Sequence, residues 1–284
     1  MMSASQHHPI VVLGASGKTG RRIVDRLRAR ELPVRLGSRS ARPPFDWEDP
    51  GTWRPVLEGA SAAYVSYFPD LAAPGAPEAV GALAATALEA GVERLVLLSG
   101  RGEEEAQRSE EALRRSGAAW TVVRSSWFHQ NFSEGHFREP LVAGGELALP
   151  AGDVGEPFVD TDDIADVAVA ALTEDGHAGQ VYEVTGPRLL TFAEAVDEIA
   201  RASGRELRYT QIGIEDFAAA LAAEGVPETE VAVLRSLFDE VLDGRNAHLA
   251  DGVQRALGRP ARDFADFARE AAASGAWGRA GVRS

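Results

Sequence analysis

Six short runs along the chain are apolar with little interruption: "PIVVLG" (9–14), "PVRLG" (33–37), "AAYVSY" (62–67), "RLVLLS" (94–99), "WTVVR" (120–124) and "QVYEVTG" (180–186). Between them stand longer stretches whose apolar residues return every three to four positions and which end near glycine: "KTGRRIVDRLRARE", "APEAVGALAATALEAG", "EEEAQRSEEALRRSG" and "DIADVAVAALTEDG". That spacing predicts amphipathic helices alternating with strands. Strands without polar alternation are covered on both faces, so the pattern predicts a parallel sheet with helices on either side, a doubly wound α/β fold of Rossmann type. Beyond residue 187 the pattern becomes helical: "TFAEAVDEIARASG", opening with a capping box from Thr191 to Glu194, then "IEDFAAALAAEG" and "ETEVAVLRSLFDEVLDG". The expected division is an α/β sheet domain over 1–186, with 127–158 contributing to the cleft beside it, and a smaller, mainly helical C-terminal lobe over 187–284.

The first strand runs into "GASGKTG" (14–20). A GKT triplet can end the phosphate loop of an ATP-binding protein, but that loop needs glycine five residues before Gly17, and Val12 stands there, inside the strand. What remains is Gly14-x-x-Gly17-x-x-Gly20 between a strand and a helix, the context of a dinucleotide turn. Such a turn must bend sharply, let a pyrophosphate approach the backbone without a Cβ between them, and bring the helix close to the sheet. N–H groups opening the helix then face the phosphates, aided by the helix dipole. An NAD-specific domain ends its second strand in Asp or Glu for the ribose 2′-hydroxyl, whereas this chain has "RLGSRS" (35–40). Without a carboxylate there, Ser38, Arg39 and Ser40 suit a 2′-phosphate, which a guanidinium binds through two hydrogen bonds. The expected cofactor is NADP(H), and Lys18, the single lysine, adds a second positive charge nearby.

Composition narrows the partners. With 29 Lys+Arg against 43 Asp+Glu, the formal charge of -14 argues against coating nucleic acid or an anionic membrane. No cysteine is present, which excludes disulfides, thiolate catalysis and zinc-thiolate sites and fits a reducing compartment. The start, "MMSASQHHPI", has no secretory pattern, and no apolar run approaches the roughly 20 residues of a membrane span. These features predict a soluble cytoplasmic protein, monomer or homodimer, that acts on a small molecule. Glu103-Glu104-Glu105 reads as a solvated first helical turn. Asp160, Asp162, Asp163 and Asp166 read as carboxylates around a helix start capped by Thr161.

Short-chain dehydrogenases with such a turn use a Tyr-x-x-x-Lys pair, the lysine lowering the tyrosine pKa. The one lysine here is in the glycine turn, and arginine titrates too high to replace it. "LGASGKTGRR", "FDWEDPGTW" (45–53), "RLVLLSGRGEEEAQRSEEALRRSGAAWTVVRSSWFHQNFSE" (94–134) and "EPFVDTDDIADVAVAAL" (156–172) resemble the NmrA-like group of atypical short-chain dehydrogenases, over residues 9–190. "GSRS" with "FDWEDPGTW" is most similar to its ergot-alkaloid branch, the agroclavine and festuclavine dehydrogenases, which reduce an iminium with NADPH. The resemblance implies that Gly14, Ser16, Gly17, Lys18, Thr19 and Gly20 hold the pyrophosphate, that Ser38 and Arg39 hold the 2′-phosphate, and that Asp46, ending a third strand in "FDW", lies beside adenine. It implies that Tyr67, Phe68, Pro69, Ser99 and Gly100 line the nicotinamide ribose, and that Trp127, Phe128, His129 and Asn131 flank the nicotinamide and substrate. Ser99 and His129 are the candidates for a catalytic role, His129 as proton donor because histidine titrates near neutrality. Two readings follow: a reductase passing hydride to an iminium, quinone or dye-like acceptor, or a regulator that senses NADP(H) without turnover, as some members of the group do.

Overall fold

The computed structural model describes residues 8–278; segments 1–7 and 279–284, which hold most of the stretch read for a secretory pattern and the end of the expected C-terminal lobe, lie outside the described residues. The strands are β1 (Ile10–Leu13), β2 (Val34–Gly37), β3 (Ala62–Val65), β4 (Arg94–Gly100), β5 (Ala119–Ser125), β6 (Glu146–Leu149), β7 (Gln180–Val184) and β8 (Arg208–Gln211). The helices are α1 (Lys18–Ala29), α2 (Trp53–Leu57), α3 (Ala76–Glu89), α4 (Glu104–Arg115), α5 (Asn131–Glu134), α6 (Arg138–Ala143), α7 (Thr161–Thr173), α8 (Phe192–Ser203), α9 (Ile214–Ala223), α10 (Glu228–Ser236), α11 (Gly252–Leu257) and α12 (Phe264–Ala273). Among the described residues no helix is long and apolar enough to cross a membrane.

Six strands form one parallel sheet in the order β2-β1-β3-β4-β5-β7. Period-2 alternation sends Ile10, Val12, Tyr64 and Val96 to the face covered by α1 and α7. Val11, Leu13, Ala63, Val65, Leu95 and Leu97 go to the face covered by α2, α3 and α4. Both faces are therefore buried, which explains the continuous apolar strands in the sequence. Because β2 and β3 flank β1 on opposite sides, the strand order reverses at β1, and a crevice opens outside its carboxyl end.

Residues 45–47 do not form a third strand. Asp46 makes only an isolated bridge to Asp49, because its N–H donates to Thr52 Oγ1 (3.0 Å) and its carbonyl accepts from Trp53 Nε1 (2.7 Å). The edge of the sheet on this side is β2. Asp160, not Thr161, caps α7: its side chain accepts from the Asp162 N–H at 2.8 Å, and Thr161 is the first helical residue. The capping box from Thr191 to Glu194 forms as expected.

The C-terminal lobe draws its core from two parts of the chain: Phe132, Phe137, Leu147 and Leu149 pack with Phe192, Ile199, Phe217 and Phe264. It also contains β6 and β8, paired in parallel from Glu146↔Arg208 to Leu149↔Gln211, which no predicted element covers. Each is four residues long, and β6 buries only Leu147 and Leu149, so its signal is weak beside the helical patterns around it. The stretch "ETEVAVLRSLFDEVLDG" becomes α10 followed by a widened helical turn, Leu237–Val241.

Candidate functional site

Gly14 leaves β1 at φ +71°, a conformation glycine adopts without cost, and its carbonyl accepts the Gly17 N–H at 2.9 Å. A Cβ at Gly20 would run into the Gly14 carbonyl, so α1 can lie this close to the turn only with glycine there. At exposed Gly17 the closest approach to an added Cβ is the Gly14 oxygen at 3.2 Å. No side chain caps α1 and no acid stands in its first turn, which leaves the leading N–H groups for an anion. Ser16 is exposed at the same mouth, whereas the Thr19 side chain is buried and its hydroxyl accepts from Tyr64 at 2.9 Å. Thr19 can offer a ligand only its backbone N–H.

Lys18 Nζ donates to Asn131 Oδ1 at 2.7 Å and makes no ion pair among the described residues. Burial, with the charges of Arg21 and Arg22, brings its pKa down to about 8. An ammonium desolvated this way lacks the counter-charge that a phosphate at the turn would supply. Past the end of β2, Arg39 is exposed and likewise without an ion pair among the described residues, beside Ser38 and Ser40, whose hydroxyls lie 3.3 Å apart. Arg42 is a second such guanidinium in the same loop, and the sequence reading passed over it although its position three residues on was the available signal. The Asp46 carboxylate turns back onto its own loop, accepting the Glu48 N–H at 3.1 Å. The wall next to it is Trp47, whose Nε1 donates to Ser66 O (3.2 Å) and whose ring lies 4.8 Å from that of Tyr67. Phe68 (63% exposed) and Pro69 project beyond Tyr67.

Both catalytic candidates are turned inward. Ser99 is buried and donates to Glu110 Oε1 at 2.7 Å, and Glu110 is gripped by Arg124 at 2.6 and 2.8 Å. Arg114 on the same helix also pairs with Glu110 (3.3 Å), which closes an ionic network around the carboxylate that Ser99 contacts. His129 is fully buried: Nε2 lies 2.9 Å from Phe158 O, and the ring is wedged against Phe264 and Phe267. Its Nδ1 stands 3.7 Å from Asp160 Oδ2, beyond hydrogen-bond reach. A ring enclosed this way cannot hand a proton to a bound acceptor; it ties the 127–132 segment to 158–160. Burial pushes the Asp160 carboxyl up, but the nearby His129 ring, the Asp162 N–H and the Gln130 amide outweigh it and hold Asp160 at about 2. Trp127 stacks on Phe137 at 6.1 Å inside the lobe, and half-buried Phe128 packs toward the sheet core beside Val159. Of the substrate candidates, Asn131 alone joins the glycine mouth, through Lys18.

Two carboxyls occupy the carboxyl edge between β3 and β4: Asp70, which is not among the sequence candidates, and Glu103, expected in a solvated first helical turn. Glu104 and Glu105 fit a solvated first turn, each paired with Arg108, but Glu103 does not. It is half-buried, does not cap α4, and rests its carboxyl against Gly100, where any Cβ would collide with it. Burial, with the charges of Asp70 and Glu110, pushes it up to about 8. Asp70 is also pushed up by burial, partly offset by the Ala72 N–H it accepts at 2.8 Å.

The family of NAD(P)H-binding proteins matches residues 14–175. The chain belongs to this family. It is 32% identical to the NAD(P)H azoreductase of Xenophilus azovorans, over 93% of this chain and 98% of that one. It is also 32% identical to the agroclavine dehydrogenase of Claviceps fusiformis, over 91% and 95%. Among solved structures, the triphenylmethane reductase of Citrobacter sp., complexed with NADP(H), has the same fold at a TM-score of 0.73 and 19% identity, covering 93% of this chain and 99% of that one. This is the membership that the NmrA-like motifs implied, and the chain is an oxidoreductase of that family.

Proposed function

We propose that the protein is an NADPH-dependent reductase that passes the nicotinamide hydride to a small organic acceptor, of iminium, azo, quinone or dye-like type, at the carboxyl edge of the sheet beside the C-terminal lobe. The observation that carries this reading is the mouth at Gly14–Gly20: an uncapped helix, and, among the described residues, a lysine without a counter-ion and an unpaired Arg39 one strand over. The N–H groups of α1 and Lys18 hold the pyrophosphate, and Arg39 with Ser38 holds the 2′-phosphate. Trp47, against which Tyr67 packs, walls the adenosine side, and Tyr67 and Gly100, with Glu103 over it, border the place of the nicotinamide ribose. The bound nicotinamide supplies the hydride. The similar azoreductase is named for an azo acceptor, whose N=N bond is easily reduced, which suits a chain whose Ser99 and His129 are committed to its interior. A cysteine-free chain fits a reducing cytoplasm. The test is NADPH consumption, followed by its absorbance, with a panel of imines, azo dyes, quinones and triphenylmethane dyes. Tight NADPH binding with no turnover on any acceptor would replace the reductase by a sensor.

A further inference from the structure

Reduction of an azo or quinone acceptor takes up a proton with the hydride, and none of the residues expected to donate one can reach the cleft. Ser99 donates to Glu110, His129 is enclosed by Phe158, Phe264 and Phe267, and the single lysine is held by Asn131 at the phosphate end. Glu103 differs from all of these. It follows β4 by three residues, and its carboxyl lies over Gly100 on the side where the nicotinamide ribose is expected. Among the described residues it has neither a hydrogen-bond partner nor an ion pair for that carboxyl. The groups facing it are Asp70 from the loop after β3 and Glu110 from α4, the latter already neutralised by Arg124 and Arg114. The one cation next in sequence, Arg101, points away: its guanidinium donates to Ser126 Oγ at 3.1 Å and reaches His248 Nε2 at 2.9 Å.

We propose that Glu103 is the proton donor for acceptors whose reduction consumes a proton. This rests on the reductase reading above. With an azo acceptor the N=N π bond breaks, one nitrogen takes the hydride with its electron pair from the nicotinamide, and the other takes the Glu103 proton. The products are a hydrazine, NADP+ and a Glu103 carboxylate, which water reprotonates. Two like-charged carboxyls in a half-buried site cannot both ionise readily, so Glu103 keeps a proton up to about pH 8 and can act as an acid at neutrality.

The test uses the full chain and two acceptors of different demand. Crystal violet, a triphenylmethane cation, takes up hydride alone, and methyl red, an azo dye, takes up hydride and a proton. In Glu103→Gln the ratio of methyl red rate to crystal violet rate at saturating NADPH should fall about 100-fold, the size of a general-acid contribution. The decline of methyl red turnover as pH rises through about 8 in the unaltered protein should vanish in the variant. Equal loss with both dyes, or an unchanged methyl red rate, overturns the assignment. Should the variant not fold, the unaltered protein decides: methyl red turnover that does not fall through that pH range relative to crystal violet overturns it too. If the unaltered protein bleaches neither dye with NADPH, the reductase reading itself fails, a result separate from the others.

Discussion

Arg39 reaches no carboxylate among the described residues, and a guanidinium in that state can grip a phosphoryl group with two charge-assisted hydrogen bonds. Arg39→Ala should therefore raise the Kd for NADPH by about tenfold or more while changing that for NADH little, as calorimetry would show; equal loss of both would remove the 2′-phosphate role. Lys18 makes a different prediction, because the pyrophosphate is common to both nucleotides. Lys18→Met should weaken NADPH and NADH alike. A bound phosphate also pulls the lysine pKa back up from about 8, so binding somewhat above that pH should take up a proton. Calorimetric heats that do not depend on buffer ionisation there would place the phosphate elsewhere. Glu103 has the opposite linkage. Its native pKa lies above the ordinary carboxyl value, so the folded state binds a proton that the unfolded chain releases, and stability declines as pH rises from about 4.5 to about 8. Glu103→Gln should melt a few degrees above the unaltered protein near pH 9 and match it near pH 5.

At the scale of elements, the glycines of the turn separate binding from folding. Gly17→Val puts a side chain into the open mouth, where only the Gly14 oxygen is close, so dinucleotide affinity should collapse with the melting temperature little changed. Gly20→Ala drives a Cβ into the Gly14 carbonyl and should cost both affinity and stability. Equal effects from the two substitutions would mean that the turn carries no ligand. These glycines, six strands and the helices between them were legible in the chain because burial on two faces writes continuous apolar runs, and a turn after a strand writes its spacing directly. β6 and β8 were not, since β6 buries only two of its four residues and β8 none, too little apolar pattern to stand out from the helices around them. "FDW" reads as a strand but its backbone groups are taken by Thr52 and Trp53 across the loop. Ser99 and His129 looked reactive because residue type and place along the chain are visible in sequence. Their enclosure depends on Glu110, Phe158, Phe264 and Phe267, which converge only in three dimensions. The same limit hid Glu103 within a run of three glutamates.

For the molecule as a whole, the excess of acidic residues does not leave the start of α7 as a loose negative face. Asp162 pairs with Arg22 and Arg26, and Asp166 pairs with Arg26 and Arg259, so α1 and α7 are bound along one side. Asp163, fully buried, accepts from Arg259 at 2.7 Å and from the Arg262 N–H at 2.7 Å, which extends the network to the segment leading into α12. That segment matters to the site because α12 supplies Phe264 and Phe267, the rings that enclose His129 and border the 127–132 stretch. Surface ion pairs contribute little, but removing one member of a buried set leaves its partners unpaired in a poorly solvated place. Asp163→Ala should thus lower the unfolding free energy by about 3 kcal/mol in urea titrations, far more than Asp266→Ala, whose exposed partner is Arg269. Since the glycine mouth draws nothing from Asp163, NADPH affinity should survive in the folded fraction while acceptor turnover declines with the loosened lobe. A loss below about 1 kcal/mol would mean that Asp166 alone holds Arg259 and that the C-terminal lobe is anchored by its aromatic core rather than by charge.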